Sequence, residues 1–354
     1  MQQIIDQLSR TIKEATAQKR ALCIRGGGTK DFYGGTLNGH KINTVDYRGI
    51  VAYEPTELVI TARAGTPLAE IETTLSKNGQ MLAFEPPHFG PGATLGGCIA
   101  TGLSGPRRAY AGSVRDFVLG VRVLDGKGDD LKFGGQVMKN VAGYDVSRLM
   151  TGSLGTLGVL LEVSLKVLPL PASETTLHLK CSETEAIAQM NEWAGKPLPV
   201  TATAFRDGEL CVRLSGAPTA VAAAAKTMDG AAIDSGQAKQ LWSGIREHTD
   251  VFFGGDRPLW RLSVKSTTPP LNLPGAQLIE WGGALRWLKS DADPATIRNA
   301  ATRAGGHATL FRGGDKSAGV FHPLPPALMK LHRNLKRAMD PAGILNPGRL
   351  YPDL

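Results

Sequence analysis

The stretch Gly90-Pro91-Gly92-Ala93-Thr94-Leu95-Gly96-Gly97-Cys98-Ile99-Ala100-Thr101-Gly102 places five glycines within thirteen residues. Glycine admits positive φ and lets backbone approach a ligand closely, at a cost in conformational entropy. So dense a run is poor material for a core strand or an exposed helix. It suits a backbone surface moulded around a large ligand, with N–H groups aimed at phosphate. Two further stretches are similar: Arg25-Gly26-Gly27-Gly28-Thr29-Lys30 and Gly152-Ser153-Leu154-Gly155-Thr156-Leu157-Gly158. Three separated small-residue loops, one flanked by cations, imply an extended anionic cofactor gripped from several sides.

The chain has 354 residues and is 42% hydrophobic, enough for a normal core in about two domains. Its 43 glycines and 22 prolines are spread through hydrophobic segments, which marks a loop-rich globular protein and not disorder. The net charge of +8 comes from 40 basic and 32 acidic residues scattered along the chain. It describes a basic surface, with no nucleic-acid motif. Cys23, Cys98, Cys181 and Cys211 lie far apart without a C-x-x-C, so there is no iron–sulfur or zinc signature. Free thiols fit a reducing compartment. Met1 to Arg20 reads as a helix with Ile4, Ile5, Leu8 and Ile12 on one face, not as a secretory signal. No apolar run reaches membrane-spanning length. The expectation is a cytoplasmic protein, its membrane contact peripheral at most, at the inner membrane.

Along the chain, Ala21 to Arg25, Leu58 to Ala64 and Leu119 to Leu124 read as strands. Thr66-Pro67 reads as the start of a helix to about Asn78, with Thr66 as N-cap. Leu157 to Leu168 has apolar odd positions, the pattern of a half-buried strand. Pro169-Leu170-Pro171 sets a boundary. Beyond it, strands (Thr175 to Lys180, Leu210 to Ser215, Trp260 to Lys265, Ala284 to Leu288) alternate with helices (Glu183 to Ala194, Thr219 to Thr227, Pro294 to Ala304). Pro323-Leu324-Pro325-Pro326 marks a second boundary before a helix at about Ala327 to Met339 and a Gly/Pro-rich tail. The division expected is 1–171, 172–322 and 323–354, with the last segment returning to the first.

A Rossmann domain is excluded by the residues after the first loop. Asp31-Phe32-Tyr33-Gly34-Gly35 cannot start a good helix. In order, the loops resemble the FAD-binding domain of the vanillyl-alcohol oxidase / p-cresol methylhydroxylase (PCMH) superfamily. The resemblance rests on Arg25 to Thr29, Gly92 to Gly97, Gly112-Ser113-Val114-Arg115-Asp116, Lys139 to Asp145, Gly152 to Val159 and the terminal Asn346-Pro347-Gly348. Lys139-Asn140, Gly143-Tyr144-Asp145 and the Asp340-Pro341 to Pro347-Gly348 tail look like its glycolate/D-lactate dehydrogenase branch. The fold implied is α+β, a two-part PCMH-type FAD-binding domain with an α+β cap.

The resemblance implies FAD as cofactor. Gly26, Gly27, Gly28 and Thr29 would hold pyrophosphate, with charge from Arg25 or Lys30. Gly92, Ala93, Thr94, Gly96 and Gly97 would form a second clamp, extended by Thr101, Gly102 and Ser104. Gly112, Ser113, Asp116, Gly155, Val159 and Asn346 complete the expected contacts. Many relatives tether flavin through a histidine where this chain has Thr29, so the FAD is expected to be non-covalent. The function implied is that of an FAD-binding subunit of a complex oxidising glycolate or another 2-hydroxy acid, beside a sister FAD-binding subunit and a separate iron–sulfur subunit. An electron-relay or structural subunit is the alternative, and a UDP-sugar flavin reductase a further one, which would not explain the Asn346-Pro347-Gly348 tail.

Oxidising a 2-hydroxy acid needs a cation for the carboxylate and a base for the hydroxyl proton. The branch usually carries a histidine-rich, metal-binding segment in the cap. Gly305-Gly306-His307-Ala308-Thr309-Leu310-Phe311-Arg312 stands there, followed by His322, without the acid or the second histidine at that spacing. No metal is expected. His88, Arg312 and Arg107-Arg108 remain candidates without a spacing argument, and the catalytic residues stay unassigned.

Overall fold

A computed structural model describes residues 1–135 and 144–354. The Lys139 to Gly143 part of the motif series lies outside them. The fold is α+β.

The N-terminal helix Gln2–Gln18 buries Ile5, Leu8, Ile12 and Ala15, a stripe at helical spacing. It lies against Leu22, Ile42, Leu124, Val159, Leu161, Ile344 and Leu345. Leu22–Arg25 pairs in parallel with His40–Asn43. Next comes a five-stranded antiparallel sheet, in the order Ile50–Glu54, Val59–Arg63, Val159–Lys166, Val118–Leu124, Asp130–Gly134.

The central strand Val159–Lys166 departs from the half-buried pattern, since only Glu162 and Lys166 are partly exposed. Leu160 joins the core, and the Ser164 hydroxyl is 2.8 Å from that of Thr61. Both faces are covered, one by the N-terminal helix and the other by Leu68–Ser76 and Leu95–Thr101. Helix Leu68–Ser76 is not capped by Thr66, whose Oγ1 instead accepts from the Gly49 amide at 2.9 Å. A buried hydroxyl found a partner in a neighbouring turn before the helix could use it.

Residues 173–312 form an eight-stranded antiparallel sheet in the order Ala231–Ala232, Ser173–Lys180, Glu209–Gly216, Val200–Arg206, Ala276–Glu280, Leu285–Lys289, Leu259–Ser263, His307–Arg312. Helices Glu183–Ala194, Pro218–Thr227 and Pro294–Arg303 cover one face, through Ile187, Met190, Val221, Ala224 and Ile297. The opposite face carries Ala202, Ala204, Leu278, Leu285, Trp287 and Phe311 and packs on Tyr33, Leu103 and Leu154 from the N-terminal half.

A buried ion network crosses the same junction. The Arg213 guanidinium lies 2.8 Å and that of Arg107 3.4 Å from Glu85, and Arg107 also reaches Glu174 at 3.1 Å. Burial alone would push the Glu85 carboxyl up, but Arg213 and Arg107 hold it below its ordinary value. A carboxyl depressed in the folded state adds stability above its unfolded value of 4.5, lost as pH falls through the folded one. The chain then closes through helix Pro326–Met339. Lys336 Nζ, buried, donates to Thr156 O, Asp340 Oδ2 and Leu345 O at 2.7–2.8 Å. Asp340 Oδ2 also accepts from the Leu345 amide, so the tail is fastened to the third Gly loop.

Both polar clusters can be tested by substitution. Lys336→Met leaves the Thr156 and Leu345 carbonyls unpaired and the buried Asp340 carboxylate without its cation, and should destabilise the protein by roughly 3–5 kcal/mol in denaturant unfolding; an unchanged midpoint contradicts this reading of the tail. Glu85→Gln should flatten the acid limb of the stability–pH curve below about pH 4.5, the unfolded value. An acid limb as steep as in the parent shows that Glu85 does not set it.

A cavity between the glycine loops

The first two glycine loops meet backbone to backbone. A Cβ on Gly27 would fall on the carbonyl of Gly92, and one on Gly26 would come within 2.6 Å of Thr94 Oγ1. Only glycine permits this approach. Beside it opens a cavity, lined from the first loop by Arg25 to Asp31, from the second by Thr94, Gly96, Gly97, Ala100 and Thr101, and from the third by Leu154, Gly155 and Gly158. Asn346 and Arg349 close it from the tail.

Among the described residues, the amides of Gly26, Gly27, Gly28, Thr29 and Lys30 meet no protein acceptor. Successive free amides on one loop are the kind of donor set that an anion-binding concavity uses. Arg25 beside them pairs with Asp31 at 2.6 Å, and its Nε is buried without a partner. Lys30 Nζ donates to His88 O at 3.2 Å, and burial lowers its pKa. Asn346 joins three segments: Oδ1 accepts from Ile24 N and Nδ2 donates to Leu154 O, both at 2.6 Å. Arg349 donates to the carbonyls of Asp31, Lys30 and Gly35 and so fixes the far side of the first loop. These features fit FAD: free amides and cations for a pyrophosphate, and glycine surfaces that any side chain would obstruct.

Of the expected contacts, Arg25, Gly26, Gly27, Gly28, Thr29, Lys30, Thr94, Gly96, Gly97, Thr101, Gly155 and Asn346 line this cavity. The second loop differs in form from the expectation. Leu95–Thr101 is a short helix, N-capped by Thr94, whose Oγ1 accepts from Gly97 N. The amides of Leu95 and Gly96 are already bonded to Thr66 and Ala64, so this stretch offers a helix surface, not a second amide clamp. The helix packs this closely because Gly96 has no side chain: a Cβ there would come within 2.8 Å of Ala64.

The remaining expected residues do not line the cavity. Gly92 abuts the first loop and Ala93 is buried in the core. Gly102 ends the short helix in the left-handed region, and Ser104 Oγ accepts from Val114 N. Gly112 adjoins the capping box that Ser113 and Asp116 form on helix Val114–Phe117. Val159 is fully buried beneath the N-terminal helix. Arg349, Asp31 and Leu154 were missed, although Arg349 stands three residues from Asn346 in the same tail.

The chain that leaves the cavity at Thr101 lines a second, smaller one with Leu103, Ser104 and Gly105. The cap sheet supplies its other walls: Arg261, Glu280, Leu285, Trp287 and Phe311, with His248 from the end of helix Ser235–Glu247. No carboxylate forms an ion pair with Arg261 among the described residues; its guanidinium lies 5.1 Å from the Trp281 ring. Glu280 accepts from Trp287 Nε1 at 2.6 Å, and burial raises its carboxyl to about 7. Burial, then Arg312 and Arg261, hold His248 well below its ordinary value, so the ring is neutral.

The histidines singled out by sequence lie elsewhere. His322 Nδ1 is 3.3 Å from the Ala308 amide, beside His307, and burial lowers both pKa values. His88 Nε2 pairs with Glu72 at 3.1 Å. Arg107 belongs to the ion network, and Arg108 lies 4.6 Å from the Trp281 ring. No local pattern marks His248 or Arg261, because they stand on a helix end and a strand that only the packing of the cap brings to one cavity.

Residues 3–134 match the family model described as an FAD binding domain, and residues 313–350 match that of the FAD linked oxidases, C-terminal domain. The chain is 49% identical to glycolate oxidase subunit GlcE of Escherichia coli K12 over 97% of its own length and 96% of that protein. It is 30% identical to glycolate oxidase subunit GlcD of Bacillus subtilis over 55% of its length and 42% of that protein. A D-lactate dehydrogenase of Anaerostipes hadrus is 31% identical over 52% of the chain and 38% of that enzyme. Among solved structures, alkyldihydroxyacetonephosphate synthase shares the fold, with TM-score 0.68 and 15% identity over 97% of this chain and 75% of that one. The chain is therefore an FAD-binding protein, and the full-length likeness makes it a member of the glycolate oxidase subunit GlcE family.

Proposed function

We propose that the chain holds FAD non-covalently between its glycine loops and serves as a subunit that oxidises a 2-hydroxy acid, glycolate first, to the 2-oxo acid. The observation that carries this reading is the unpaired Arg261 in a cavity lined by the chain segment that leaves the FAD cavity. A guanidinium without a carboxylate partner, enclosed by Trp287, Phe311 and Leu285, is matched to a small carboxylate. FAD, when bound, accepts the hydrogen and electron pair from the substrate Cα.

The residues of this chain supply binding and orientation. Gly26 to Lys30 would hold the pyrophosphate, with Arg25 as the nearest cation. Arg261 would hold the substrate carboxylate. Among the described residues lining the FAD cavity there is no histidine, cysteine or tyrosine to form a flavin tether, and Thr29 stands at the loop position where relatives carry histidine. The buried Cys98 thiol, pushed up to about 12, stays protonated. The names of the relatives support a complex with a sister flavoprotein subunit of the GlcD kind. Electrons would leave through a separate iron–sulfur subunit, since the four cysteines of this chain are dispersed. The division at 1–171, 172–322 and 323–354 fits this scheme, with the middle segment as cap over the substrate. The relay reading rests on the Gly305 to Arg312 segment, which supplies a single histidine from a strand.

Three results test the proposal. Acid precipitation should release the flavin into the supernatant, and anaerobic glycolate should bleach it; a flavin that stays oxidised supports the relay reading. Gly27→Glu should abolish FAD binding by setting a carboxylate beside the free amides, and stoichiometric FAD in that variant contradicts the loop assignment. Arg261→Gln should weaken glycolate binding by roughly 3 kcal/mol, about a hundredfold in KM, with FAD content unchanged. An unaltered KM removes Arg261 from the substrate site.

A further inference from the structure

His248 has no role in holding the fold together by hydrogen bonds. Among the described residues its ring makes none, and its Nδ1 is buried without a partner. Aromatic contacts fix the ring instead. It stacks on Phe253 with centroids 3.8 Å apart and planes 2° from parallel, and it meets Trp287 edge-on at 4.6 Å. Phe89 and Phe311 stand at 4.9 and 5.2 Å. The backbone here is left-handed, φ 54°, at the helix C-cap, which turns the residue away from the helix axis. A buried, unpaired ring nitrogen is costly unless a ligand satisfies it.

We propose that His248 is the proton acceptor for the substrate hydroxyl, in the place left by the missing histidine-rich segment. The inference rests on the substrate site proposed above. With the substrate carboxylate on Arg261, the O–H proton passes to a His248 ring nitrogen. The Cα–H bond breaks with its electron pair passing to FAD, the C=O bond forms, and the products are the 2-oxo acid, reduced flavin and a protonated imidazole.

The charges around the ring give this arrangement a signature. Arg261 and Arg312 face it from two cap strands, Glu280 lies in the same cavity, and Arg246 and Glu247 precede it on its own helix. Lys30 stands 5.6 Å from the Phe89 ring on the far loop. In the free site burial, then Arg312 and Arg261, keeps the imidazole neutral. A carboxylate on Arg261 cancels part of that field, and the ring becomes more basic when substrate is present.

Oxalate, which has a carboxylate for Arg261 but no hydroxyl proton to give, is the probe. Calorimetric titration of oxalate into the FAD-loaded protein at about pH 6, in buffers of different ionisation enthalpy, should register proton uptake. His248→Gln and His248→Asn, the latter suited to left-handed backbone, should keep oxalate binding and FAD content but lose the uptake. In the same variants kcat with glycolate should fall roughly 10²–10⁴-fold with KM little changed. Uptake or kcat that persists in both variants overturns the assignment of His248 while leaving the Arg261 site standing. Oxalate that does not bind the parent protein overturns both.

Discussion

The close approach of two backbones, Gly27 against Gly92, is the constraint on which the site depends. It holds the first loop open in a conformation where five consecutive amides have no partner among the described residues. Such a loop stands only because its surroundings determine it. Asn346 ties Ile24 to Leu154, and Arg349 takes three carbonyls of the loop's outer side. Lys336 and Asp340 in turn fix the tail that carries both residues. The binding loop, drawn from near the start of the sequence, is thus positioned by residues close to its end. Unmet hydrogen-bonding capacity is gathered on one loop, and the rest of the chain offsets its cost.

The cap continues the same logic with a different group. One face of the eight-stranded sheet is filled by helices, and the other carries aromatic residues that meet the FAD-binding half. Arginines at that junction are divided by function. Arg107 and Arg213 are neutralised by Glu85 and Glu174 and fasten the two halves together. Arg261 and Arg312 lie against rings and leave their charge available. Burial first, then these two charges, hold the His248 ring well below its ordinary value.

Features carried by local pattern were legible in the sequence. The glycine loops, the N-terminal stripe Ile5, Leu8, Ile12, the prolines that open helices and the Asn346 tail all depend on neighbours along the chain. The helix Leu95–Thr101 was not, because its glycines have low helix propensity and tertiary packing against Ala64 decides the outcome. The strands Val200–Arg206, Ala276–Glu280 and His307–Arg312 escaped for a related reason. They are buried on both faces or interrupted by small residues, and so lack clean alternation. Ser113 and Asp116 read as cofactor contacts, yet their spacing is equally that of a capping box, which is what they form. His248 and Arg261 gain meaning only from the packing that sets their helix and strand beside one cavity.

Backbone hydrogen exchange with and without FAD tests the central claim most directly. Among the described residues the amides of Gly26 to Lys30 have no hydrogen bond to protect them, so they should exchange fast in the FAD-free protein and be strongly slowed when FAD is bound. The amides of Gly96 and Gly97, already bonded within the protein, should change far less. Exchange at Gly26 to Lys30 that FAD leaves unaltered would show that the cofactor's anionic centre lies elsewhere.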